Sequence, residues 1–310
     1  MLKYIGKRFL MMIPVIAGIS FILFTIMDLT PGDPARAMLG EYAPQQEIDK
    51  LREELGLNDN FFVRYGRYVL SALQGDFGTS YRTNTPTVQE IKARFPATLK
   101  IAFLAVLIAV VIGIPVGIIS AVKQYSFADV ASMVSALMFT SIPPFWLGLL
   151  MILLFSVQLR ILPAVGSDTW KHFLMPAAAM AAAQMATLIR MTRSTMLEVI
   201  RQDYIRTARA KGATPGRVVF RHSLQNALLP VVTAIGISFS NLLGGALIIE
   251  NVFGISGLGT LMVESVKGKD SPMLIASVMF AALVGGIVNL LVDVMYIYID
   301  PRVKSLYVKG

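Results

Sequence analysis

Six stretches of this chain run for roughly 17 residues or more with little or no charge, the length a helix needs to cross the hydrocarbon core of a bilayer. They are Phe9 to Met27, Ile101 to Val122, Val130 to Leu159, Phe173 to Ile189, Leu228 to Ile249 and Leu274 to Ile299. Lipid offers no hydrogen bonds, so each such segment must satisfy its own backbone groups as a helix. The pattern therefore predicts an all-α, polytopic membrane protein with six transmembrane helices. Only 15% of the residues are charged and 55% are apolar, whereas a soluble domain carries about a quarter charged. The net charge of +9 would ordinarily raise nucleic acid as a partner. In a chain of this kind, however, basic residues gather in cytoplasmic loops for topological reasons, which removes that reading. With zero cysteines, disulfides, thiolate metal sites and a cysteine nucleophile are excluded.

The third stretch contains Pro143 and Pro144 and is expected to kink there, because proline removes a donor and clashes with the preceding turn. The first follows Lys3, Lys7 and Arg8 as a signal peptide would, but Asp28 and Pro31-Gly-Asp-Pro34 stand where a small-residue cleavage site belongs. It reads as an uncleaved anchor. An inside N-terminus places Lys3, Lys7, Arg8, Lys123, the eight basic residues from Arg190 to Arg221, and Arg302, Lys304 and Lys309 in the cytoplasm. The short outer loops then hold only Arg160, Lys171, Lys267 and Lys269. Both termini are expected to be cytoplasmic.

The long outer loop, residues 28–100, has helical patterning of its own. Ile48, Leu51 and Leu55 share a face, with Gly56 as the stop. Phe61 to Gln74 forms a second helix ended by Gly75, and Thr85 with Pro86 opens a third. A packed cap over the bundle and a lid over a substrate path both fit this loop. The cytoplasmic elbow, residues 190–227, continues the fourth span as an amphipathic helix, turns at Gly212, and restarts with Thr214 as cap and Pro215 in the first turn. Val218, Val219 and Phe220 are expected to be exposed there, a docking face without a partner in the chain.

No Gly-x-x-x-x-Gly-Lys-Ser/Thr phosphate cradle, Gly-x-Ser-x-Gly elbow or His-Glu-x-x-His helix is present, so no catalytic or cofactor site is predicted. His172 and His222 fall on opposite sides of the membrane and cannot share a metal. Asp293 is the only acid placed within a span. An ion-coupled secondary transporter or channel, the alternative, would need such groups as its relay. Gln184, Asn241 and Asn289 are candidate pore-lining residues, with interhelical hydrogen bonding as the competing role. Gly113 and Gly117 have the spacing of close helix packing.

Tyr204-Ile-Arg-Thr-Ala-Arg-Ala-Lys-Gly212, followed by Arg221-His-Ser-Leu-Gln-Asn-Ala-Leu-Leu-Pro230, resembles the cytoplasmic signature loop of bacterial ABC importer permeases, and most the dipeptide, oligopeptide and nickel branch. Pro31-Gly-Asp-Pro34, Gly75-Asp-Phe-Gly-Thr-Ser80, Leu162-Pro163, Gly166, Gly244-Gly245, Glu250, Phe253, Gly257-Leu-Gly259, Asp270-Ser-Pro272, Asp293 and Asp300-Pro-Arg302 extend the resemblance over the whole chain. Arg206, Thr207 and Ala208 stand where most ABC importers have Glu-Ala-Ala, and Ser256 where the branch usually has proline. The resemblance implies one permease domain over 1–310 with the type I importer fold, forming half of a pore for di- or oligopeptides or related solutes. It implies a paralogous permease, two ATPase subunits that carry the ATP and Mg, an extracytoplasmic binding protein, and a place in the bacterial inner membrane. Tyr204, Arg206, Ala208, Lys211, Gly212, Pro215, Val218, Val219 and Phe220 would then form the ATPase-docking loop. Asp76, Phe77 and Phe253 become candidates for an extracytoplasmic gate.

Overall fold

The computed structural model describes residues 2–40 and 42–299. Asp300, Arg302, Lys304 and Lys309 lie outside the described residues. In chain order the helices are α1 Leu2–Leu29, α2 Pro34–Leu39, α3 Gln45–Glu54, α4 Phe61–Leu73, α5 Thr87–Val122, α6 Phe127–Ser141, α7 Pro144–Met151, α8 Leu174–Ile200, α9 Asp203–Ala210, α10 Pro215–Arg217, α11 Leu224–Val252, α12 Leu258–Lys267 and α13 Ser271–Ile299. One isolated bridge, Thr79 to Pro86, is the only strand-like pairing among the described residues. Among the described residues, five helices are long and apolar enough to cross a membrane, and a bent pair makes a sixth if counted as one span.

That pair corrects the expected kink. α6 and α7 meet at 100°, too sharp for one bent helix. The residue before a proline is driven out of the α region, and here two in succession are so placed. Ile142 sits at φ −89, ψ 123 and Pro143 at φ −61, ψ 135, both extended. Pro144 then starts α7 at the position where a missing N–H costs nothing. Beyond Met151 the chain widens into a π turn, Ile152–Gln158.

The chain divides into two compact units. One comprises residues 99–255 and, as far as described, 285–299. Its centre is α8, which packs against α6, α7 and α11. Ala177, Ala179, Ala181, Ala182 and Ala186 of α8 are all buried, and such small side chains let neighbouring backbones approach closely. α5 meets α8 the same way: a methyl on Gly117 would stand 2.7 Å from Thr192 Cβ and 2.8 Å from the Ile189 carbonyl. On Gly113 it would lie 3.0 Å from Leu188 Cβ. Both glycines are therefore packing residues.

The other unit comprises residues 2–98 and 256–284. Ile91, Leu258, Leu261 and Met273 form its core, flanked by Phe77, Phe95 and Phe280. Asp33 and Asn60 cap α2 and α4 as their residue types favour, and Gly56 and Gly75 end α3 and α4 with positive φ. α4 docks on α1 through aromatic edges, Phe21 and Phe24 meeting Phe61 and Tyr65 at 5.3–5.9 Å. Buried Asp270 caps α13 at Met273 N and also takes the Tyr81 N–H at 3.1 Å and the Ser80 hydroxyl, which fixes the segment around Ser80. The third loop helix starts at Thr87 rather than after a Thr85 cap, because the Thr85 hydroxyl faces Thr83 and Glu90 instead of a backbone N–H.

Candidate functional site

The elbow forms where α8 runs out of apolar residues. Ile205, fully buried, anchors α9. Gly212 turns the chain with φ +82, a conformation that costs a residue with a Cβ but not glycine. The Thr214 hydroxyl accepts the Arg217 N–H, and Pro215 opens α10. Instead of a separate short helix, a π turn over Val218–Ser223 carries α10 straight into α11. This corrects the docking face. Val218 is 2% exposed, and Val219 packs on Ile118, Ala121, Met196 and Ala227. The wider turn directs both inward, and only Phe220, 64% exposed, remains outside.

Tyr204, Arg206, Lys211, Gly212 and Pro215 are exposed and Ala208 is half-buried. The Tyr204 hydroxyl accepts from Asn226 at 3.0 Å, tying α9 to the start of α11, and Arg206 pairs with Asp203 at 3.6 Å. A groove of about 290 Å³ runs along the elbow between Val122, Ile200, Arg209 and Pro215.

A charge cluster that the sequence did not single out supports this region. Arg193 on α8 holds Asp129, in the first turn of α6, with two parallel bonds of 2.6 and 2.8 Å. Tyr125 N–H donates to the same carboxylate at 2.9 Å, and so does the Ser120 hydroxyl. The Asp129 side chain is 4% exposed. Arg193, one of the eight basic residues of the elbow region, is therefore bound to a buried carboxylate. A signal existed: Ser126 and Asp129 have the spacing of a helix start. The partner 64 residues away had none.

Gln184 is half-buried on α8, while Asn241 on α11 and Asn289 on α13 are exposed. The gate candidates divide between the two units. Phe253 is 1% exposed and packs against Gly148, where a methyl would meet its ring at 2.9 Å. Phe77 flanks the core of the loop unit, and Asp76 is exposed. His172 accepts the Thr169 N–H, and the His222 carbonyl accepts from the Asn226 amide. No group of three or more metal-ligating side chains occurs among the described residues.

The loop unit also contains a chamber of about 470 Å³, lined by Asp28, Arg52, Arg64, Tyr68, Asp76 and Tyr81 among others. Burial pushes the Tyr68 hydroxyl well above its ordinary range, and the adjoining Tyr65 adds to the shift. Burial followed by the Asp270 charge raises Tyr81 as well, against a smaller opposing effect from Arg64.

Residues 113–305 match the family described as the binding-protein-dependent transport system inner membrane component, and residues 1–102 match the N-terminal region of the same kind of membrane component. The chain belongs to the binding-protein-dependent transport permeases. It is similar to the dipeptide transport system permease protein DppB of Alkalihalophilus pseudofirmus, 41% identical with 98% of this chain and 100% of that protein covered. The glutathione transport system permease protein GsiC of Escherichia coli K12 is also 41% identical, over 98% of this chain and 99% of its own length. Among solved structures, the MetNI methionine ABC transporter in an inward-facing conformation superimposes with a TM-score of 0.59 at 21% identity, covering 69% of this chain and 97% of that one. That likeness concerns the fold. As a permease of this family the chain is a multi-pass membrane subunit of a bacterial ABC importer. It works with ATPase subunits, which bind the ATP, and with a substrate-binding protein.

Proposed function

We propose that this permease forms one half of the translocation pore of a di- or oligopeptide importer, paired with a paralogous permease. The observation that carries the reading is the similarity, 41% identity over 98% of this chain, to two permeases whose named cargoes, a dipeptide and glutathione, are both short peptides. An ATPase subunit docks on the loop of Tyr204, Arg206, Ala208, Lys211, Gly212, Pro215 and Phe220. Val218 and Val219 serve that surface from beneath, by holding the elbow on α5 and α8. Gln184, Asn241 and Asn289 face the pore, and Asp76, Phe77 and Phe253 contribute to its outer closure. Closing of the ATPase pair pushes the elbow and rocks the helices between outward-open and inward-open states. The chain forms one permease domain whose loop 28–100 is extracytoplasmic and whose elbow 190–227 is cytoplasmic.

Proteoliposomes containing this chain, its paralogous partner, both ATPases and the binding protein are expected to take up labelled dipeptide only with ATP. Uptake of another solute class but not peptide would overturn the substrate reading, and full activity without the second permease would overturn the pairing. The orientation is tested in this cysteine-free chain by Tyr42→Cys, at a fully exposed position, and by Arg217→Cys. An impermeant thiol reagent applied from the extracytoplasmic side should label position 42 and spare 217. The opposite pattern would invert the topology.

A further inference from the structure

The chamber in the loop unit holds one carboxylate that nothing neutralises. Arg52 is held by Asp33 at 2.9 Å, Arg67 by Asp59 at 2.6 Å, and Arg64 by Asp28. Lys269, beside Gly32 on the wall, donates to the Pro31 carbonyl. The buried carboxylate of Asp270 is committed to the Ser80 hydroxyl and the N–H groups of Tyr81 and Met273. Asp76 bonds only the N–H of Gly78, at 2.9 Å, and has no cationic partner among the described residues. Asp28, Asp33 and Asp76 line the chamber with Arg52, Arg64 and Arg67, and of the three carboxylates only Asp76 is without a cationic partner among the described residues; the rings of Phe24, Tyr68 and Tyr81 line the same chamber.

A carboxylate without a cationic partner, in a chamber partly walled by aromatic rings, suits one class of ligand. Divalent cations need several hard oxygen ligands, and no group of three metal-ligating side chains occurs among the described residues. Anions find every guanidinium already paired. A primary ammonium needs one charge-assisted acceptor and gains further from aromatic faces and hydroxyl oxygens. We infer that this chamber is a receiving site for the amino-terminal ammonium of a small peptide, with Asp76 as its anchor. The inference rests on the peptide reading above and adds a binding site in the loop unit.

The test uses the full-length permease in lipid nanodiscs and alanyl-alanine as probe, with binding read by saturation-transfer NMR. Asp76→Asn keeps the carbonyl that accepts the Gly78 N–H, so the turn survives while the charge goes. It should weaken alanyl-alanine by about tenfold or more, whereas Glu54→Gln, on exposed α3, should leave the titration unchanged. N-acetyl-alanyl-alanine should bind as poorly to wild type as the free peptide does to the variant, and methylammonium should compete. Equal binding to wild type and Asp76→Asn, or equal binding of the acetylated probe, would overturn the site. So would loss of binding-protein association in Asp76→Asn with an unchanged probe titration, which would make the chamber a protein contact. If the assembled importer moves peptide while these titrations fail, the site falls and the peptide reading stands. If Asp76-dependent binding persists while the importer moves no peptide, the ammonium site stands and the cargo is something else.

Discussion

Replacing Arg193 with alanine is expected to destabilise the permease by about 3 kcal/mol or more, a large part of the margin that keeps a domain folded. The expectation follows from what remains rather than from what is removed. Asp129 is 4% exposed, and two of its bonds come from the Arg193 guanidinium. Without that group a buried charge retains only the Ser120 hydroxyl and the Tyr125 N–H. Asp129→Ala with Arg193→Ala leaves neither ion stranded, so the double variant should recover much of the loss, and a double-mutant cycle should return a coupling of about 2 kcal/mol or more. Arg193→Lys should fall between, since an ammonium cannot make both parallel bonds. Thermal unfolding in nanodiscs reads all four. Lys123→Ala, which removes an exposed cation from the same loop, should be nearly silent. If Arg193→Ala matched Lys123→Ala, the pair would contribute nothing to stability.

The second large effect is expected at the elbow. A methyl on Gly212 would meet nothing within 4 Å, so the cost of Gly212→Val is purely conformational. Its φ of +82 penalises a β-branched residue by about 1 kcal/mol or more and redirects α10. Phe220 is the exposed apolar side chain of this turn. Its removal should weaken ATPase association by about 2 kcal/mol, roughly thirtyfold, if it fills a desolvated pocket on the partner. Both variants should insert normally yet lose complex recovery or uncouple hydrolysis from uptake. Val218→Ala should behave differently, lowering the stability of the permease itself, because Val218 is buried in its own chain. Wild-type assembly and uptake in both Gly212→Val and Phe220→Ala would reduce the elbow to a topological charge cluster.

Local chemistry makes much of this protein legible in its amino-acid order. Span length and the absence of charge follow from lipid as solvent, and they placed five of the long helices. Gly56, Gly75 and Gly212 stop helices with positive φ, and Thr214 with Pro215 restarts one, because caps and left-handed turns depend on a few adjacent residues. The elbow motif and the near-complete length of the match identified the family for the same reason: both are written in contiguous residues. What the amino-acid order left open is whatever depends on residues far apart in it. Pro143 and Pro144 announced a bend, but its angle of 100° was not legible in the two prolines. The π turn was not legible in the residue order, and nothing local said that Val218 would be buried and Phe220 left outside. Asp129 and Arg193 are 64 residues apart, so nothing local distinguished Arg193 from the solvated arginines around it. Asp76 is likewise one of several loop carboxylates in the sequence. Only the fold paired Asp28, Asp33 and Asp59 with arginines and left Asp76 facing the chamber without one. Sequence alone determined the helices, their stops and the family, since these rest on local propensity and burial in lipid. Tertiary structure decided which charges are neutralised and which apolar side chains stay exposed, since those depend on distances that chain order does not encode.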